Sequence, residues 1–593
     1  MLDLRSPGSW CSLGTLVFAL SVVASLPALS ACSAEILDSS GPRADGAGGD
    51  SPSGSAGAGG SSKANGSSGG GSNSTGGSST GSGGTASSTG GGGAPDTCVN
   101  ASANVGASIL RRLSSTEYQL TLQDLFQLAN PPSVEGLPAD TEKDGFKVFA
   151  AVQTVSAAHL RGYLAKAQEL AAALMTDTAR RSKVLGCEPS ATDCLRNFVT
   201  RFGRLAYRRA LTQAEVDGLV TRAERDALDV NDRFQFAIEV MLTAPDFLYR
   251  AELGSTPEGL ATLSGTELAA KLSFAVWGRA PSAELLDQAE QGALSTAEGL
   301  SQAVGRLLGD ARAQGFYAGF FRQWLGYEAV RAPTTPVTGW NDALLPAMQA
   351  ETDALVKEYA WGGLNFLDAL TTSRTHVSRE LATFYGLPAP AADGTLSIPS
   401  DHVRANTGLL THASLLGAKS DGDLIALRGD WLRETFLCRH MQVPASVAEQ
   451  LGEILVGLTR VQIVKERNTR QECVGCHSII DPIGVGLAKF DRAGRYDESL
   501  DITEFGITPA LPDAPNPNFN SVAELAAKLR AMPEVSACLT TRAFLYVNGR
   551  EPEESDRCTT QAAEKSFSSQ ASSFPSLLRG LLEAPSFRLR RSQ

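Results

Sequence analysis

Histidine is scarce in this chain, with six among 593 residues, and no two of them form an H-x-x-x-H pair. Only one C-x-x-C is present. Zinc bound by cysteine and histidine needs a second ligand pair, so neither common arrangement is available. A phosphate-binding surface needs a basic stripe, and none is visible in a chain whose formal net charge is -12, which argues against a nucleic-acid partner. Beyond the N-terminal segment no stretch is long and apolar enough to span a bilayer. Outside the Gly/Ser-rich segment, G-x-S-x-G, H-E-x-x-H, a Walker loop and a Rossmann fingerprint behind a strand are all missing. The acidic residues are scattered, with no pair that stands out as glycosidase carboxylates. Trp277 and Trp324 read as core aromatics rather than as a sugar platform.

What the chain does contain is Arg470-Gln471-Glu472-Cys473-Val474-Gly475-Cys476-His477, a C-x-x-C-H. This spacing is the attachment signature of c-type haem. Two thiols two residues apart on an incipient helix each add to a vinyl group of one porphyrin, and the adjoining imidazole falls onto the iron. Cys473 and Cys476 are then thioether anchors and His477 the proximal ligand, its second ring nitrogen held by an acceptor. The competing readings are a structural disulfide, half of a zinc site, and a redox dithiol that would not need the histidine. For the distal position Met532 follows His477 by about 55 residues, the kind of spacing small monohaem cytochromes use. A lone methionine on a helix also reads as core filler. His440-Met441 and His412 are alternatives, and an open iron would turn the reading toward oxygen or peroxide chemistry. Pro482 is expected to stop the motif helix early, the following glycines to let backbone approach a flat ligand, and Leu487 and Phe490 to line its pocket.

Export is expected independently. Arg5, an apolar run from Leu13 to Ala31, and Leu29-Ser30-Ala31-Cys32 read as a lipobox in a signal of residues 1–32, with Cys32 the lipidated residue. An ordinary cleaved signal followed by a stray cysteine is the alternative. Residues 33–97, nearly all Gly, Ser, Ala, Asn and Thr from Gly46 to about Ala94, form a tether. About fifty such residues span roughly 40 Å r.m.s.. The expected location is an outer membrane, on its periplasmic or surface side, with membrane contact only through the lipid. In such an oxidising compartment Cys98, Cys187, Cys194, Cys438, Cys538 and Cys558 suggest disulfides. Cys187 with Cys194 and Cys538 with Cys558 are the local pairings favoured here, leaving Cys98 with Cys438, although six cysteines allow fifteen connectivities.

The body is written in helix punctuation and reads as mainly α and multidomain, since 593 residues exceed what one core holds. Ser114 with Glu117 forms a capping box flanked by a staple of Leu113 on Tyr118. Thr212 with Glu215, Ser264 with Glu267, Ser295 with Glu298 and Ser521 with Glu524 repeat the device. A faint internal repeat relates Arg208 to Arg250 with Gly549 to Arg590, two copies of one helical-hairpin module.

The order of several blocks resembles the planctomycete-specific cytochrome family and its companion domains, the domain-of-unknown-function families 1587, 1595, 1592, 1588 and 1585. Leu110 to Leu113 with Glu117-Tyr118 resembles the first, and Tyr207-Arg208-Arg209 through Arg250 the second. Leu272-Ser273-Phe274 with Trp277, and Gln323-Trp324-Leu325, resemble the third. Gly408 to Thr411, Arg428-Gly429 and Cys473 to Arg495 resemble the cytochrome-like fourth, and Gly549 to Phe587 the last. The resemblance implies helical units over 98–180, 187–252 and 260–390, a small cytochrome-c-like haem domain over 400–500, and a C-terminal module over 515–590. Many members have a histidine six residues before the first cysteine, where this chain has Arg467. The sequence therefore points to an exported lipoprotein with one covalent haem c and an unnamed redox partner, passing electrons alone or within a degradative system. The alternative is a haem-free helical binding lipoprotein whose C-x-x-C is a structural disulfide.

Overall fold

Helix starts in the body are set by four-residue local chemistry. In the computed structural model, Ser114 Oγ accepts from the Glu117 amide at 3.2 Å while the Glu117 carboxylate accepts from the Ser114 amide at 2.9 Å, opening the helix Ser115–Leu125. The same reciprocal pair joins Ser264 with Glu267 ahead of Gly265–Trp277, and Thr212 with Glu215 ahead of Gln213–Asp226. Leu113 and Tyr118, the staple partners, are both buried. Two of the expected boxes differ. Helix Ala297–Gly309 is capped by Thr296 rather than Ser295, because Leu294 and Ser295 are drawn into a short 3-10 turn. Ser521 caps Val522–Ala531, but the Glu524 carboxylate returns to the amide of Asn520.

The structure describes Cys98 and residues 105–226, 229–256, 258–418, 424–441 and 457–591. The signal, the lipidation site Cys32 and the tether lie outside these residues. Among the described residues the fold is mainly α, with only two- and three-residue strands paired in twos. The described residues belong to one compact unit. Its largest apolar core runs from Phe146 to Phe587 in sequence, and a second core gathers residues from Leu113 to Ala280. Among the described residues no helix is long and apolar enough to cross a membrane.

The internal repeat is visible as topology. Helix Cys194–Tyr207 ends at Arg208 in the left-handed region, φ 61°, and is followed by Gln213–Asp226, Val230–Thr243, a turn Pro245–Leu248 and the strand Tyr249–Arg250. Helix Pro533–Asn548 ends at Gly549, φ 69°, and is followed by Arg557–Ser569, Phe574–Leu582, the turn Pro585–Arg588 and the strand Leu589–Arg591. Each closing strand pairs antiparallel with a strand just ahead of a capping box, Arg111–Arg112 in the first copy and Leu260–Thr262 in the second. The Leu113 amide donates to Leu248 O at 2.8 Å, and the Leu263 amide donates to Arg588 O at 3.0 Å. The repeat thus includes the leading helix, and in the second copy the C-x-x-C-H region is inserted between that helix and its closing module.

Among the described residues three disulfides form: Cys187–Cys194 closes a local loop, while Cys98–Cys558 and Cys438–Cys538 join segments distant in sequence. The expected bond between Cys538 and Cys558, and with it the Cys98–Cys438 pairing, is not formed. Cys538 lies in the second turn of Pro533–Asn548, and the chain climbs about 15 Å along that helix before it turns back, so Cys558 starts the next helix at the far end. Cys538 instead faces the end of Leu424–Leu437, where its neighbour is Cys438.

Candidate functional site

Cys473, Cys476 and His477 sit in the first turns of helix Gln471–Gly486, so the two thiols lie about one turn apart. Cys473 is buried and Cys476 half-buried. They are the free cysteines among the described residues, and no disulfide joins them. Burial pushes the Cys473 thiol above its ordinary value. The Cβ that Gly475 lacks would meet nothing within 4 Å, so the motif's backbone faces open space there.

Pro482 does not stop this helix. The chain continues through it to Gly486, although proline forfeits a backbone hydrogen bond and costs about 3 kcal/mol in a helix interior. Tertiary packing overrides that cost. Ile480, Ile483 and Val485 are buried, and Pro482 O accepts from the Ala510 amide at 3.3 Å. The glycines also serve a different purpose from the one expected. A Cβ on Gly484 would lie 1.9 Å from Ile425 O, and one on Gly429 would lie 2.0 Å from Ile480 O. They let helices Leu424–Leu437 and Gln471–Gly486 touch backbone to backbone. Leu487 belongs to the large core, and Phe490 packs edge-on against Tyr496. The fully buried Arg428 holds the carbonyls of Leu487, Phe490, Leu416 and Asp491, and burial lowers its guanidinium to about 9.

The histidine is oriented by a carboxylate. His477 Nδ1 lies 3.1 Å from Asp481 Oδ1, one turn further along the helix. Asp481 is 0% exposed and Arg467 3%. Arg467, closing helix Arg460–Arg467, donates Nε to Oδ2 at 2.6 Å and a terminal nitrogen to Oδ1 at 2.8 Å. Asn468 Nδ2 donates to Oδ2 at 2.6 Å. A carboxylate only accepts, so this contact needs its hydrogen on His477 Nδ1. Neither Asp481 nor Arg467 was assigned this role from the sequence. The i, i+4 spacing of His477 and Asp481 on a helical stretch is the signal that carries it.

The other candidates are dispersed. Met532 caps Pro533–Asn548 and is buried in the large core, a cluster that contains none of Cys473, Cys476 and His477. His412 is buried, its Nδ1 2.8 Å from Thr352 Oγ1, and the exposed His440 approaches Glu434 at 3.7 Å. Trp277 and Trp324 are core residues whose indoles donate to Leu307 O and Thr435 O.

Family models match the body in chain order. Models described as proteins of unknown function match residues 111–176 (DUF1587), 194–252 (DUF1595), 263–387 (DUF1592), 406–499 (DUF1588) and 516–587 (DUF1585). No curated protein and no solved structure matches. The C-x-x-C-H helix lies inside the DUF1588 match, and the five matched domains are of the planctomycete cytochrome-associated kind. The chain belongs to the planctomycete cytochrome-associated family assembled from these domains.

The donor set at the motif suits a haem c. It offers two unbonded thiols at the attachment spacing and, beside them, an imidazole held through Nδ1.

Proposed function

We propose that this chain is an exported lipoprotein carrying one covalent haem c within a cytochrome-c-like domain over residues 400–500, and that it passes electrons, alone or as the redox part of a degradative system. Cys473 and Cys476 hold the porphyrin, and His477 supplies the iron ligand through Nε2. Bound there, the haem supplies a one-electron couple. Asp481 and Arg467 keep the imidazole turned. The observation that carries this reading is the pair of unbonded thiols next to a histidine whose far nitrogen is already taken, in a body that pairs its other described cysteines. The membrane is reached through a lipid on Cys32 and the 33–97 tether, and the redox partner is a separate molecule.

Expression with a c-type maturation system tests the reading. The denatured polypeptide should keep peroxidase-active stain on a gel and give the pyridine haemochrome of two thioethers. Cys473→Ser with Cys476→Ser should abolish the stain. Colourless wild-type protein made under those conditions returns the chain to a haem-free binding role. Labelled palmitate should enter wild type and not Cys32→Ala, and equal labelling of both refutes the lipid anchor.

A further inference from the structure

The carboxylate of Asp481 is more constrained than holding a ring in place requires. Each oxygen accepts two hydrogen bonds: Oδ1 from Arg467 and His477, Oδ2 from Arg467 and Asn468. No water reaches it, since Asp481 is 0% exposed, while the His477 side chain is 16% exposed. The restraint also comes from two elements. Arg467 and Asn468 lie at the end of the preceding helix, so the position of the carboxylate is fixed by the packing of one helix on another and not by the motif alone.

We infer that Asp481 is a positioning residue for His477. It fixes the ring in the Nδ1–H tautomer and, through a water-excluded hydrogen bond, makes Nε2 a stronger electron donor than a ring held by a neutral carbonyl. A hydrogen bond from a ligating imidazole to a carboxylate raises the basicity of the ligand. Low local dielectric strengthens the bond. On an iron centre a more basic axial ligand stabilises the oxidised state, so this arrangement keeps the couple at a lower potential than the same motif without Asp481. Arg467 and Asn468 act at one remove, by denying the carboxylate any other orientation. The tautomer statement concerns the polypeptide only, whereas the potential statement rests on the haem reading above.

The two statements are tested separately. First, the full chain is produced without haem and with ¹⁵N-labelled histidine, and the ring signals of residue 477 are assigned by their loss in His477→Gln. Wild type should show the Nδ1–H tautomer, and Asp481→Asn should shift the population toward Nε2–H. A wild-type ring protonated at Nε2 overturns the proposal whatever the haem content. Second, the haem-loaded Asp481→Asn protein should keep its covalent haem and show a more positive midpoint potential than wild type. An unchanged potential with haem and fold retained overturns the tuning role. Colourless wild type counts against the haem reading and with it the tuning role, and the tautomer measurement still decides the positioning role without any variant at 481.

Discussion

Trp324 and Trp431 each hydrogen-bond the helix that carries the other. The Trp324 indole donates to Thr435 O at 2.9 Å, near the end of the helix that carries Trp431, and the Trp431 indole donates to Leu325 O at 3.0 Å, at the end of the helix that carries Trp324. Each ring satisfies a carbonyl that its host helix leaves open. The two bonds join the 263–387 region to the 406–499 region. Trp324→Phe and Trp431→Phe should each lower stability by about 1–2 kcal/mol, chiefly through an unsatisfied buried carbonyl. Denaturant melts of the single and double variants should show a coupling above about 0.5 kcal/mol. Strictly additive effects would mean that the two bonds act independently.

The contact between the helices of Gly429 and Gly484 predicts a second cost. A Cβ at either position would press on a backbone carbonyl far inside van der Waals contact, at 2.0 Å or 1.9 Å. Gly484→Ala should therefore destabilise by about 1–3 kcal/mol or more, as overpacking does. Gly475→Ala, in the same helix with open space around it, should be neutral or stabilise by up to about 1 kcal/mol. Equal melting temperatures for the two variants would remove the argument.

Non-reducing peptide mapping should recover Cys98–Cys558, Cys187–Cys194 and Cys438–Cys538. Any peptide linking Cys538 to Cys558 refutes the helix geometry described above. Replacing both Cys438 and Cys538 by Ser should lower stability by on the order of 4 kcal/mol, because that bond closes a loop with a sequence separation of 100.

Stability should fall as pH drops below the ordinary imidazole value. Burial holds the His412 pKa below 6.5, Glu351 opposes that shift, and Arg404 and His376 add to it. Burial lowers His159 and His402 in the same direction. The unfolded chain then binds protons first, so this part of the stability is complete above 6.5 and is lost as pH falls through 6.5 toward the lower folded values. Chemical denaturation of wild type between pH 7.5 and 5 should show that slope, and His412→Gln should flatten it. A variant as steep as wild type would clear His412 of the effect.

Sequence alone determined the helix starts at Ser114, Thr212 and Ser264, because a capping box closes within four residues and needs nothing distant. It also determined the mainly α class, the order of the modules and the C-x-x-C-H, all of which are local patterns. Tertiary structure decided what depends on which helix faces which. Cys538 meets Cys438 and not Cys558, since a helix rises between the cysteines that are nearer in sequence. Pro482 stays inside a helix, since buried neighbours outweigh one missing hydrogen bond. Gly484 admits another backbone rather than a flat ligand. Arg467, at the end of the preceding helix, reaches across a helix boundary to hold Asp481. Side chains meet through packing, and packing is a property of the whole core that no short window of residues contains.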